Sequence, residues 1–109
     1  MTFDELKVQI RSCVFDEVRV DNGDLFEAVI QKENIEPLIV KLNSVFGPPA
    51  WPSENKLSNE VHNIIQHHGG IVAGQTLYFT HVENSPVFVM LWPWGDKEHV
   101  TVKCGKKAV

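Results

Sequence analysis

An α+β fold is predicted, with about three helices packed on one face of an antiparallel sheet. The sheet combines an N-terminal hairpin with a C-terminal three-stranded meander. Apolar residues recur at helical spacing in several segments before His68, and the period changes to two after Gly69-Gly70. Between two short strand-like runs lies Asn22-Gly23, the strongest short hairpin signal. The 109 residues correspond to one domain, 1–109, large enough for a core without disulfides or metals.

The elements follow in order. Thr2 and Glu5 have the spacing of a capping box. Phe3, Leu6, Ile10, Cys13 and Val14 form the stripe behind it, which predicts a helix over 2–14. The stretch "EVRVDNGDLFEAVIQ" gives the hairpin, turning at Asp21–Asp24, although "DLFEAVI" could also extend as a helix. Ile35, Leu38, Ile39, Leu42, Val45 and Phe46 mark a second helix, with Asn34 as its cap and Pro37 in its first turn. Gly47, Pro48 and Pro49 end it. The connector "GPPAWPSENK" leads to a third helix from Ser58 to His68, with Val61, Ile64, Ile65 and His68 on one stripe and Gly69-Gly70 as its stop. Strands are predicted at 75–82, 87–92 and 99–104, with turns at Glu83–Pro86 and Pro93–Glu98.

Within this frame "VFVMLWPWG", residues 87–95, is unusual: it is apolar on both sides of the strand. Val87, Val89 and Leu91 take one face, Phe88, Met90 and Trp92 the other. With every helix on one side, the second face is an aromatic stripe edged by small polar groups, as binding and dimer surfaces are composed. The candidate surface is Tyr78, Phe88, Met90, Trp92 and Trp94, with Trp51 at its margin. Gly69 and Gly70 lie beside it, where a ligand or a neighbouring backbone can approach closely. The bland alternative is that the hairpin or the Trp51 connector folds across this face and makes it core.

A net charge of −4 lacks the electrostatic footprint of a phosphate-backbone binder, so no nucleic-acid partner is expected. Lys103, Lys106 and Lys107 read as a solvated basic tail. No run is long and apolar enough to span a bilayer, and "MTFDELKVQI" carries acids where an export signal needs basic residues. No membrane association and a cytoplasmic location are therefore expected, with Cys13 and Cys104 as free thiols.

No metal and no cofactor are expected. His62 and His67 are five apart, about 140° around a helix, and cannot chelate together. A metal site would need His81 or His99 to converge with another histidine. His68 reads as a core or C-terminal capping histidine, its protonated form favoured by the helix dipole. His99 and Cys104 point to opposite strand faces, which excludes a Cys–His nucleophile. "DNGD" lacks the further carboxylates of a calcium loop.

Two functions of different class follow. The first is a small non-catalytic binding domain acting through the aromatic face, with a second copy, another protein or a small apolar or planar ligand as partner; a homodimer covers such a face most simply. The alternative is a small enzyme with His81 or His99 as acid or base in a pocket against the sheet. Titratable groups clustered in one cleft favour the enzyme, and scattered histidines the binding domain.

Overall fold

A computed structural model describes residues 1–53 and 56–106. Glu54 and Asn55 of the connector and Lys107 lie outside the described residues; Lys103 and Lys106, expected in a solvated tail, are instead paired in the last strand of the sheet.

The chain runs α1 (Phe3–Arg11), β1 (Glu17–Asp21), β2 (Leu25–Gln31), α2 (Glu36–Phe46), α3 (Asn59–Gln66), β3 (Thr76–Val82), β4 (Ser85–Pro93) and β5 (His99–Lys106). The predicted α+β class holds. The strands form one antiparallel five-stranded sheet in the order β1-β2-β5-β4-β3. The hairpin is thus joined to the meander through its last strand.

Local chemistry explains most boundaries. Thr2 Oγ1 accepts from the Glu5 N–H at 3.0 Å, and Ser58 Oγ accepts from the Val61 N–H at 3.2 Å. Gly47 stops α2 in the left-handed region, at φ 76°. Two expectations need correction here. Helix α1 ends at Arg11, so Val14 is exposed rather than part of a stripe. Asn34 does not cap α2, because it lies in a 3-10 turn, Lys32–Asn34, that runs directly into the helix.

The turns differ in kind. At the first hairpin Asn22 Oδ1 accepts from the N–H groups of Asp24 and Leu25, at 2.9 and 3.0 Å. The Asn side chain makes this turn, and Gly23 does not use a positive φ. Between β3 and β4 only Glu83 and Asn84 intervene, at φ 51° and 65°, which matches the strand twist. Ser85 and Pro86 therefore belong to the strand rather than to the turn.

The helices do not share one face, which is the main departure from the predicted layout. On the first face α1 and α2 cover Phe26, Ala28, Ile30, Tyr78, Val87, Val89, Leu91, Val100, Val102 and Cys104. On the second face Val61, Ile64 and Ile65 of α3 pack on Leu77, Phe88 and Met90, with Trp51, Ile71, Phe79 and Trp92 around them. The connector carries the chain between faces by running along the outer edge of β3. There the Leu77 N–H donates to the Trp51 carbonyl at 2.9 Å, and the Ala50 N–H donates to the Leu77 carbonyl at 2.8 Å. These bonds also occupy part of an otherwise open sheet edge.

Candidate functional site

The second face of "VFVMLWPWG" is closed by the chain itself. Phe88 and Met90 are fully buried beneath α3, so the central part of the predicted aromatic surface is core. The homodimer expectation loses the open stripe that motivated it. Tyr78 pairs with Val89 and faces α2 on the other side of the sheet, where its hydroxyl donates to Asn43 Oδ1 at 2.8 Å. Trp51 is half-buried in the α3 core. Gly69 and Gly70 are both left-handed, at φ 95° and 72°. They turn the chain back after α3, and the Gly70 N–H closes on the Ile65 carbonyl at 2.8 Å. A Cβ on Gly69 would meet the Trp92 ring at 3.6 Å, so the close approach is to the chain's own indole.

Helix α3 covers only the β3–β4 half of this face. Over the β5–β2 half lie Trp92, Trp94 and long charged side chains. Lys103 Nζ stands 5.3 Å from the Trp92 ring centroid and 3.9 Å from Glu27 Oε1. Trp92 Nε1 is buried without a hydrogen-bond partner. Trp94 is 36% exposed. Its Nε1–H donates to Thr101 Oγ1 at 2.8 Å, its ring lies 4.9 Å from His99, and Arg19 sits 5.6 Å from its centroid. Of the predicted surface residues, Trp94 alone is an exposed aromatic held by a directed hydrogen bond.

Trp94 opens the β4–β5 turn, where titratable groups collect that sequence spacing did not reveal. Asp96 Oδ1 accepts from the Glu98 and His99 N–H groups at 2.8 and 3.0 Å, folding the turn, and Asp96 Oδ2 lies 2.6 Å from His99 Nδ1. His99 Nε2 faces Asp16 Oδ2 at 3.5 Å, and Asp16 in turn accepts from Gln31 Nε2. The Lys32 N–H donates to the Glu98 carbonyl at 2.7 Å, tying the turn to the end of β2. Ligand atoms of Asp96, Glu98 and His99 lie within 4.8 Å of one another. The short Asp96–His99 contact is a hydrogen bond in which Nδ1–H donates to Asp96 Oδ2, so this carboxylate oxygen already has a partner within the turn.

The electrostatics agree. The hydrogen bond to Asp96, with the charges of Asp96, Asp16 and Glu98, raises the His99 pKa above its ordinary 6.5 against a smaller opposing effect of desolvation. The Glu98 N–H first, then the His99 ring, lower the Asp96 pKa below its ordinary 3.8. By linkage, the His99 contribution to stability is complete below pH 6.5 and is lost as pH rises through its raised folded value. The Asp96 contribution is complete above pH 3.8 and is lost as pH falls through its lowered one. Both are present between these limits. In an NMR titration His99 is expected to show a midpoint above 6.5 that Asp96→Asn moves downward. A wild-type midpoint at or below 6.5 would mean that the ion pair does not form.

The other histidines stay apart from this cluster. His62 and His67 are exposed, and His81 Nε2 pairs with Glu60 at 3.0 Å. His68 packs its ring 4.6 Å from that of Phe88. Burial, then Lys103 and His67, lower its pKa, opposite to the shift expected from the helix dipole alone. Cys13 and Cys104 are both free; burial pushes the Cys104 thiol up to about 12, so it is inert.

Two adjoining recesses meet at the turn. One, about 290 Å³, is lined by Ile35 and Ile39 of α2, Leu91, Pro93, Trp94, Val100 and Thr76, with Lys32, Lys97 and His99. The other, outer one shares Lys32, Lys97 and His99 and adds Gln31, Glu33 and Glu98. The first is close to the lower end of the volumes typical of small-ligand sites, roughly 300 Å³.

No known protein family, curated protein or solved structure matches the chain. No described helix is long and apolar enough to cross a membrane.

Proposed function

We propose that the chain is a non-catalytic binding domain whose site is the Trp94 end of the sheet. The observation that carries this reading is a recess lined by aliphatic side chains on the α2 face. The exposed Trp94 at the end of the sheet contributes to its rim, while its indole is fixed on Thr101 of the other face. An aromatic anchor held by a hydrogen bond loses little side-chain freedom when a ligand docks, which is the economy that binding sites favour. This moves the site from the middle of the aromatic stripe, which is core, to its end. Two reduced cysteines, one of them buried, accord with a cytoplasmic location.

The clustered acids around His99 give the catalytic alternative its best support, yet their placement argues against proton transfer. A carboxylate faces each ring nitrogen, Asp96 Oδ2 at 2.6 Å from Nδ1 and Asp16 Oδ2 at 3.5 Å from Nε2, so neither nitrogen opens toward a substrate. The test is a fragment screen followed by backbone and indole N–H chemical shifts. Shift changes are expected to cluster on the Trp94 indole, Lys97 and Val100 and to be lost in Trp94→Ala, whose circular dichroism stays native. Changes centred elsewhere, or none, would overturn the assignment. Turnover of a bound fragment that His99→Gln abolishes would establish the enzyme instead.

A further inference from the structure

We propose that the recess beside Trp94 takes a small amphiphilic monocarboxylate, its compact apolar or aromatic body against the aliphatic wall and its single negative charge between Lys32 and Lys97. The proposal rests on the assignment of the binding site to this end of the sheet and adds the chemistry of its ligand.

The wall comes from both layers of the fold. Ile35 and Ile39 descend from α2, and Leu91 and Val100 rise from the central strands, with Trp94 along one side. No acidic side chain lines this recess among the described residues, although the chain as a whole is acidic. Its charged lining is cationic. Neither Lys32 nor Lys97 forms an ion pair with a described residue, while Asp96 already balances His99. The two ammonium groups are thus the charges free to meet a ligand.

The backbone sets both lysines there. Lys32 is tied to the turn by its N–H bond to the Glu98 carbonyl. Lys97 adopts φ 63°, a left-handed conformation that a lysine takes only at some cost and that the Asp96-capped turn enforces. The outer recess narrows the ligand class further. Glu33 and Glu98 line it beside the same lysines, so a second negative charge reaching outward would be repelled. A monoanion fits, and a dianion does not.

The test uses three probes of one shape: 3-phenylpropionate, its neutral amide 3-phenylpropanamide, and the cation 3-phenylpropylamine. Binding is followed by chemical shifts of the Trp94 indole and the Lys97 and Val100 amides. The carboxylate is expected to bind on the order of tenfold more tightly than the amide and the amine more weakly still. Its affinity should fall with added salt. The double variant Lys32→Gln/Lys97→Gln, at two exposed positions, should bring the carboxylate down to the level of the amide with circular dichroism unchanged. Phenylsuccinate should bind less tightly than phenylpropionate. Equal binding of carboxylate and amide at the recess overturns the proposed ligand class and leaves the binding site standing. If none of the probes shifts these resonances, both fail together.

Discussion

Phe88→Ala is expected to destabilise the fold by about 3–5 kcal/mol, the cost of emptying a fully packed aromatic site. Phe88 has no exposed surface. It faces α3, stands opposite Phe79 on β3 and Gly105 on β5, and carries the His68 ring against its own at 4.6 Å. A void left there is closed on every side, so the neighbours can collapse only in part. Domains of this size hold about 5–15 kcal/mol in total, so the loss takes much of the stability. Urea unfolding followed by far-UV circular dichroism measures it. Trp94→Ala is the internal comparison: its indole is partly exposed, and its loss removes one hydrogen bond and the ring contacts with His99 and Arg19. The Phe88 penalty should be the larger by several fold. A Phe88→Ala midpoint indistinguishable from wild type would mean that α3 does not seal this face.

The same residue shows what the sequence made legible and what it did not. Strand parity placed Phe88, Met90 and Trp92 on one side of β4, and the structure keeps them there. Parity is a property of one strand, so no partner needs to be known. Tyr78 was expected beside them, yet it sits opposite Val89 on the other face. That position depends on the register between β3 and β4, and a slip of one residue exchanges the faces. The placement of α3 escaped for a related reason. Its own stripe of Val61, Ile64 and Ile65 was plain, but the side it covers is decided by Trp51 pairing with Leu77, a contact 26 positions apart (77 − 51). Caps resolved well where a side chain and its target are three residues apart, as with Thr2 and Ser58.

The candidate site follows the same division. Trp94 was singled out as part of the aromatic run at residues 87–95, and it is the exposed residue that anchors the proposed site. His99 was recognised as a possible acid or base, but its partners were not. Asp96 is three positions away, in a turn whose shape could not be read. Asp16 comes from the other end of the chain, brought alongside because β5 pairs with β2. Lys32 and Lys97 carry no motif at all. Their proximity is a product of sheet order, which only the folded chain displays.

Gly105→Ala tests the same core from the opposite strand. Gly105 attracts no notice in the sequence, and its φ is not one that requires glycine. Space is the constraint: a Cβ built there would lie 2.7 Å from Phe88 Cζ and 3.0 Å from Cε1, with the Asp24 carbonyl at 3.4 Å. Two effects compete. Alanine restricts the unfolded chain and would stabilise by about 0.4–1 kcal/mol where it fits. Forcing a methyl into a packed core costs about 1–3 kcal/mol. Phe88 is fully buried and held from the other side by α3, so its ring has nowhere to withdraw, and the steric cost wins. Gly105→Ala is therefore expected to lower the urea midpoint at an unchanged slope. The cause is separable by repeating the substitution beside Phe88→Leu, which removes the ring atoms that the methyl would strike. In that background the penalty should shrink by about 0.5–3 kcal/mol, the coupling typical of residues in contact. If Gly105→Ala costs the same in both backgrounds, the collision with Phe88 is not its origin, and the Asp24 carbonyl becomes the group that glycine accommodates.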